Sequence, residues 1–192
     1  MPNLKSLAKD TAIYGLSSIV GRFLNYLLVP IYTASMPASG GGYGVITNMY
    51  ALTALILVLL TFGMETTFFR FANKEGEHAG RVFSTALIGV ASASTLFFIA
   101  ILLLITPVST FLGYADHPQY VWVMALTVAI DAVRAIPFAY LRLQKKALKF
   151  AALQMLNIAI NIALNIIYYI GMDGHDPGYA FYINLATSAI VT

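Results

Sequence analysis

Apolar residues in this chain come in blocks of about twenty, separated by short polar breaks. A helix rising ~1.5 Å per residue needs roughly 20 such residues to cross a hydrocarbon layer ~30 Å thick. Six blocks meet or approach that length, at about residues 11–32, 43–64, 82–106, 120–140, 151–172 and 178–192. The sixth holds only 15 residues and reads as a span still unfinished at Thr192. Each break carries residues that end helices: TASMPASGGG (33–42), RFANKEGEHAGR (70–81), PVSTFLGYADHPQ (107–119), LRLQKKALKF (141–150) and DGHDPG (173–178). Connections this short lay consecutive helices antiparallel. The pattern therefore predicts an all-α membrane bundle of about six transmembrane helices, with residues 1–192 forming a single unit.

Composition removes the soluble alternative. Hydrophobic residues make up 59% of the chain and charged ones 10%, against about 25% charged in ordinary globular proteins. Too few charges remain to cover a water-exposed surface. The absence of cysteine excludes disulfides, thiolate chemistry and cysteine-based metal sites. The net charge of +3 calls for no nucleic acid, because the basic residues are sorted by side. Lys5 and Lys9, then Arg70, Lys74 and Arg81, then Arg142, Lys145, Lys146 and Lys149 fall on one side of a six-span bundle; the opposite connections hold only Asp116, Asp173 and Asp176. Basic connections stay in the cytoplasm, which predicts a cytoplasmic N-terminus. A cleaved leader does not suit the first block, which is about 22 residues long with Arg22 at its middle.

Polar groups inside the blocks are the candidates for function. An arginine at mid-bilayer costs roughly 2.5–3.5 kcal/mol on insertion scales, so it is expected to face water, a partner or a ligand. Arg22 holds that position in the first block. Tyr14, Ser18, Arg22 and Asn25 follow one another at helical spacing and share a face. Arg134 lies within the fourth block with Asp131 three residues before it, a spacing that allows an ion pair; structural and functional roles stay open for that pair. The fifth block carries Gln154, Asn157, Asn161 and Asn165 in one stripe. Four amides in lipid need partners, either neighbouring helices or the wall of an aqueous path. Glu65 and Arg70, in FGMETTFFRFANKE, are gate candidates or an interfacial ion pair. SGGGYG lacks the lysine of a phosphate-binding loop and reads as a turn. His117 and His175 sit in separate turns, and no metal site, catalytic residue or cofactor is expected.

Three stretches together carry a resemblance: LKSLAKDTAIYGLSSIVGRFLNYLLVPIYT at the start, GMETTFFRFANKE after the second block, and AIPFAYLRLQKKALKFAALQMLNIAINIALNIIYY across the fourth and fifth. The chain resembles the polysaccharide biosynthesis protein (O-antigen flippase) branch of the multidrug/oligosaccharidyl-lipid/polysaccharide exporter superfamily. The resemblance implies one lobe of a two-lobe transporter of 12–14 helices in the cell inner membrane, working by alternating access. Its implied cargo is a polyprenyl-pyrophosphate-linked oligosaccharide used in surface polysaccharide such as lipopolysaccharide. The other implied partners are membrane lipids, a C-terminal lobe and glycan polymerisation or ligation machinery. Cationic residues of a central cavity are implied to meet the pyrophosphate, a placement that Arg22 matches and Arg134 approaches.

Three other readings stand beside this one: a cation-coupled exporter, a glycan enzyme, and a purely structural assembly subunit, against which the polar stripes argue. A cation-coupled multidrug exporter would use membrane-buried carboxylates, of which Asp131 is the one well placed. A membrane enzyme of glycan assembly would need a large catalytic outer loop, whereas the longest outer connection is 107–119.

Overall fold

A computed structural model describes residues 12–16, 19–20, 23–24, 26–36, 41–74 and 78–192. Among them every regular element is helical. We number these α1 (Leu28–Ser35), α2 (Gly42–Thr61), α3 (Met64–Ala72), α4 (Ala79–Leu103), α5 (Ile105–Phe111), α6 (Pro118–Leu143), α7 (Ala147–Ile166) and α8 (Gly178–Val191).

Among the described residues, four helical stretches are long and apolar enough to cross a membrane: Gly42–Ala72, Ala79–Leu103, Pro118–Leu143 and Ala147–Gly171. They answer to the second to fifth predicted spans. The first predicted span falls partly outside the described residues. The sixth is the shorter apolar helix α8, of 14 residues.

Several boundaries differ from the sequence reading, each for a local reason. The second span does not stop near Met64. Phe62 and Gly63 both take left-handed backbone (φ 47° and 62°), which ends α2, and the chain resumes at once as α3, with Arg70 on its last turn. The region 107–119 is not wholly a connection, because α5 occupies its first half. Pro107 is tolerated there in the first turn, where its missing N–H has no intrahelical partner to lose. At the other end of α7 the helix widens into a π-helical turn, Ile167–Gly171.

α6 is the central strut. Half of its most apolar stretch is buried, against 11–17% in the other three long helices. Its first half joins Leu28, Ile46, Met49, Tyr169 and Phe181 in one core cluster, while Val128, Ala132, Ile136 and Ala139 join Leu60, Phe68, Ala86 and Val90 in a second. Ala132 and Ala139 are fully enclosed, so their size sets how closely neighbouring backbones approach. The outer faces stay apolar, with Leu55, Val58, Ile88, Leu96 and Ile170 exposed, as contact with lipid requires.

The two ends of the bundle differ in chemistry. One is basic: Glu65 and Phe69 of α3 meet Arg142 of α6, and Phe83 of α4 packs on Tyr140 at 4.7 Å, and Arg70, Lys74, Arg81, Lys145, Lys146 and Lys149 stand close to these residues in the chain. The other is built from tyrosines around an aspartate. Tyr120 donates to Asp176 Oδ1 at 2.9 Å, Tyr169 donates to the Asp176 carbonyl at 2.9 Å, and Asp176 accepts the Gly178 N–H at the start of α8. Tyr168 stacks on Tyr179 with ring centres 4.0 Å apart.

Candidate functional site

The polar positions of α7 gather between α1, α2 and α8. There they help to enclose a cavity of about 320 Å³ whose polar lining is Tyr32, Tyr43, Tyr50, Asn157, Asn161 and Asn184. The cavity exists because four helices turn faces inward. Tyr43, Ile46 and Tyr50 recur at spacings of three and four on α2, and Asn157 and Asn161 stand four apart on α7 with Ile158 beside them. The site is rich in groups that both donate and accept hydrogen bonds, and none of the described residues that line it is charged.

The amide stripe divides in two. Asn157 and Asn161 line the cavity, whereas Asn165 is fully enclosed and committed to structure. It accepts the Tyr32 hydroxyl at 2.8 Å, and its Nδ2 donates to the Asn161 carbonyl at 2.7 Å. Asn161 Nδ2 in turn donates to Thr187 Oγ1 of α8 at 3.3 Å. Gln154 is half-buried and does not line the cavity.

α8 links this network to the ion pair of α6. Asp131 and Arg134 meet at 2.9 Å, both largely buried, and Ser188 donates to the same Asp131 oxygen at 2.8 Å. The Arg134 guanidinium also lies over the Phe138 ring, 5.6 Å from its centre. One polar edge of α8 thus serves three neighbours. Asn184 faces the cavity, Thr187 receives Asn161, and Ser188 holds Asp131.

The predicted Glu65–Arg70 pair is not formed. Glu65 instead forms an ion pair with Arg142, and Arg70 is exposed. Five residues apart on a helix are about 140° apart around its axis, so the two side chains leave α3 on different faces. Arg142 is held between two rings, Phe69 of α3 and Phe150 of α7, each 5.6 Å from its guanidinium carbon. Tyr14 meets Phe150 edge-on at 5.1 Å. Ser18, Arg22 and Asn25, the companions predicted for Tyr14, lie outside the described residues.

Sequence reasoning passed over half of this arrangement. Arg142 was assigned to a basic connection, although Asp131, Arg134, Phe138 and Arg142 run at spacings of three, four and four along one face of α6. Asn184 in the last block has Thr187 and Ser188 three and four residues further on, so the three share one side of that helix. Tyr32, Tyr43 and Tyr50 counted as apolar, and only their convergence on one space shows their hydroxyls at work. Among the described residues no three histidine, aspartate or glutamate side chains come together to hold a metal.

A family model described as "Polysaccharide biosynthesis protein" matches residues 39–191. The chain belongs to that family. The match covers α2 to α8, including every residue of the α6–α7–α8 polar network. No curated protein and no solved structure matches the chain. Membership agrees with the resemblance carried by the motifs, and it places this membrane protein in the making of polysaccharide.

Proposed function

We propose that the chain is a carrier lobe, not an enzyme, and that it moves a polyprenyl-pyrophosphate-linked oligosaccharide across the cytoplasmic membrane. The observation that carries this reading is the cavity of about 320 Å³ whose lining includes three amides and three phenols within a membrane bundle. A sugar head group cannot enter hydrocarbon without replacing its hydration. Amides and phenols offer donors and acceptors to sugar hydroxyls without burying a charge. The volume is at the lower end of the roughly 300–1,000 Å³ usual for ligand sites, so it suits one part of a large cargo.

The anionic part of such a cargo needs cations. Arg134 of the α6 pair is one candidate, tied to α8 through Asp131 and Ser188, and Arg22 is the second, from its place in the sequence. Arginine suits phosphate because its planar guanidinium gives paired hydrogen bonds. In this proposal the basic end faces the cytoplasm, following the bias of basic residues to that side. A second lobe completes the path, since alternating access needs two bodies rocking about a shared site.

The test is export of surface polysaccharide by cells that depend on the intact transporter. Asn157→Leu with Asn161→Leu, and separately Arg22→Ala, should abolish export while the protein stays in the membrane at its normal level. Full export by both variants would remove the carrier reading. A sodium-dependent dye efflux lost in the same variants would favour a drug exporter instead.

A further inference from the structure

A second concavity opens at the basic end, away from the polar network. It has a volume of about 340 Å³ and lies between α3 and the first turns of α4. Met64, Phe68, Phe71, Val82 and Ala86 make most of its wall, and Arg81 stands in it with two threonines. The two left-handed residues Phe62 and Gly63 separate α3 from α2 just before the groove begins at Met64. Arg81 is the charged residue among those described in the groove wall, and Arg70 and Lys74, both exposed, follow at the end of α3.

We propose that this groove binds an anionic phospholipid of the surrounding bilayer, with one acyl chain along Met64, Phe68 and Val82 and its phosphate at Arg81. Charge and polarity both select this occupant. A free phosphate would gain nothing from the apolar wall, and a zwitterionic lipid would gain little from Arg81. The groove belongs to two helices that cross the membrane, so acyl chains are the medium at its side. A basic cluster at the level of the head groups draws anionic lipid from that medium. The site is separate from the cavity of α1, α2, α7 and α8, and it stands whether or not the chain carries a glycan.

Native mass spectrometry of the full chain, released from detergent with phosphatidylglycerol or phosphatidylcholine added, tests the proposal. The wild-type chain should retain phosphatidylglycerol roughly fivefold more than phosphatidylcholine, the effect of about one basic residue near an anionic lipid. Arg81→Gln should abolish that preference, and Thr67→Phe, which fills the groove, should reduce retention of both lipids. Lys149→Gln, outside the groove, should leave the preference intact. Arg81 is exposed, so its variant should fold, and it decides the matter alone if Thr67→Phe does not accumulate. Equal retention of the two lipids, a preference unchanged in Arg81→Gln, or an equal loss in Lys149→Gln would overturn the site. Stronger retention of a polyprenyl phosphate than of phosphatidylglycerol would overturn it too, by making the groove a place for cargo.

Discussion

The Tyr32 hydroxyl donates to Asn165 Oδ1 at 2.8 Å, joining α1 to α7 across 133 residues of sequence. Both side chains are buried, Asn165 completely. Their bond fixes one wall of the cavity, because Tyr32 lines that space and Asn161, bonded to Asn165, lines it as well. The amide stripe therefore has a structural end and an open end.

Asn165→Leu leaves the Tyr32 hydroxyl buried without its acceptor. The expected cost is about 1–3 kcal/mol, the penalty of an orphaned buried polar group. Adding Tyr32→Phe removes the orphan and should restore part of the loss. Thermal unfolding in detergent of the two single variants and the double variant measures this. A double variant as unstable as the sum of the singles would show that the bond does not couple α1 to α7.

Asp131→Leu isolates the guanidinium of Arg134 in the interior, and removing one member of a buried pair typically costs about 3–5 kcal/mol. Membrane levels of that variant should fall several-fold. Asp131→Leu with Arg134→Leu removes both charges and should recover the level, yet without export if Arg134 meets the cargo. Immunoblotting of membranes beside a polysaccharide assay separates the two outcomes. Recovery of export together with protein level would make the pair purely structural.

Glu65 and Arg142 tie the α3 segment to α6. Glu65→Arg or Arg142→Glu alone places like charges together and should lower thermal stability. The exchanged pair should regain most of it. Arg142→Lys should fall between, because an ammonium keeps the charge and loses the flat stacking on Phe69 and Phe150. If the exchanged pair were no better than either single reversal, the ion pair would not hold the two helices.

Ala132 and Ala139 have no exposed surface. Ala139→Leu should destabilise the bundle by about 1–3 kcal/mol through overpacking, whereas Ala152→Leu, on the exposed face of α7, should be nearly neutral. Melting temperatures of the two variants provide the comparison. Equal effects would mean that α6 is not the tightly packed strut.

The long helices were legible in the sequence because a lipid-facing span must be apolar over a fixed length, and that demand writes itself as a block. α2, α4, α6 and α7 all sit where blocks predicted them. Their ends were less legible. The sequence FGMETTFF offers glycine as a breaker, but a break of two left-handed residues that lets the helix resume depends on Phe68 finding the core beneath it, where it is 1% exposed. Pro107 likewise suggests a connection, and it sits in the first turn of a short helix instead.

The candidate site was half legible for a similar reason. Spacing alone reveals a stripe of amides or the i, i+3 pair of Asp131 and Arg134, since both are properties of one helix. It cannot reveal which stripe faces which. Glu65 had a nearby arginine in the sequence and chose a distant one, because Arg70 leaves α3 on another side while Arg142 is brought to it by the packing of α6.

The order of apolar blocks, the sorting of basic residues and the periodic polar positions determined that this is a helical membrane protein with a polar interior. These are local consequences of crossing lipid, and one chain of letters records them. Only the tertiary structure decided that Asn157 and Asn161 face an open space while Asn165 is sealed, that Ser188 holds Asp131, and that Arg142 belongs to Glu65. Such pairings depend on the relative rotation and depth of separate helices, which side-chain packing across the whole bundle sets and no single helix encodes.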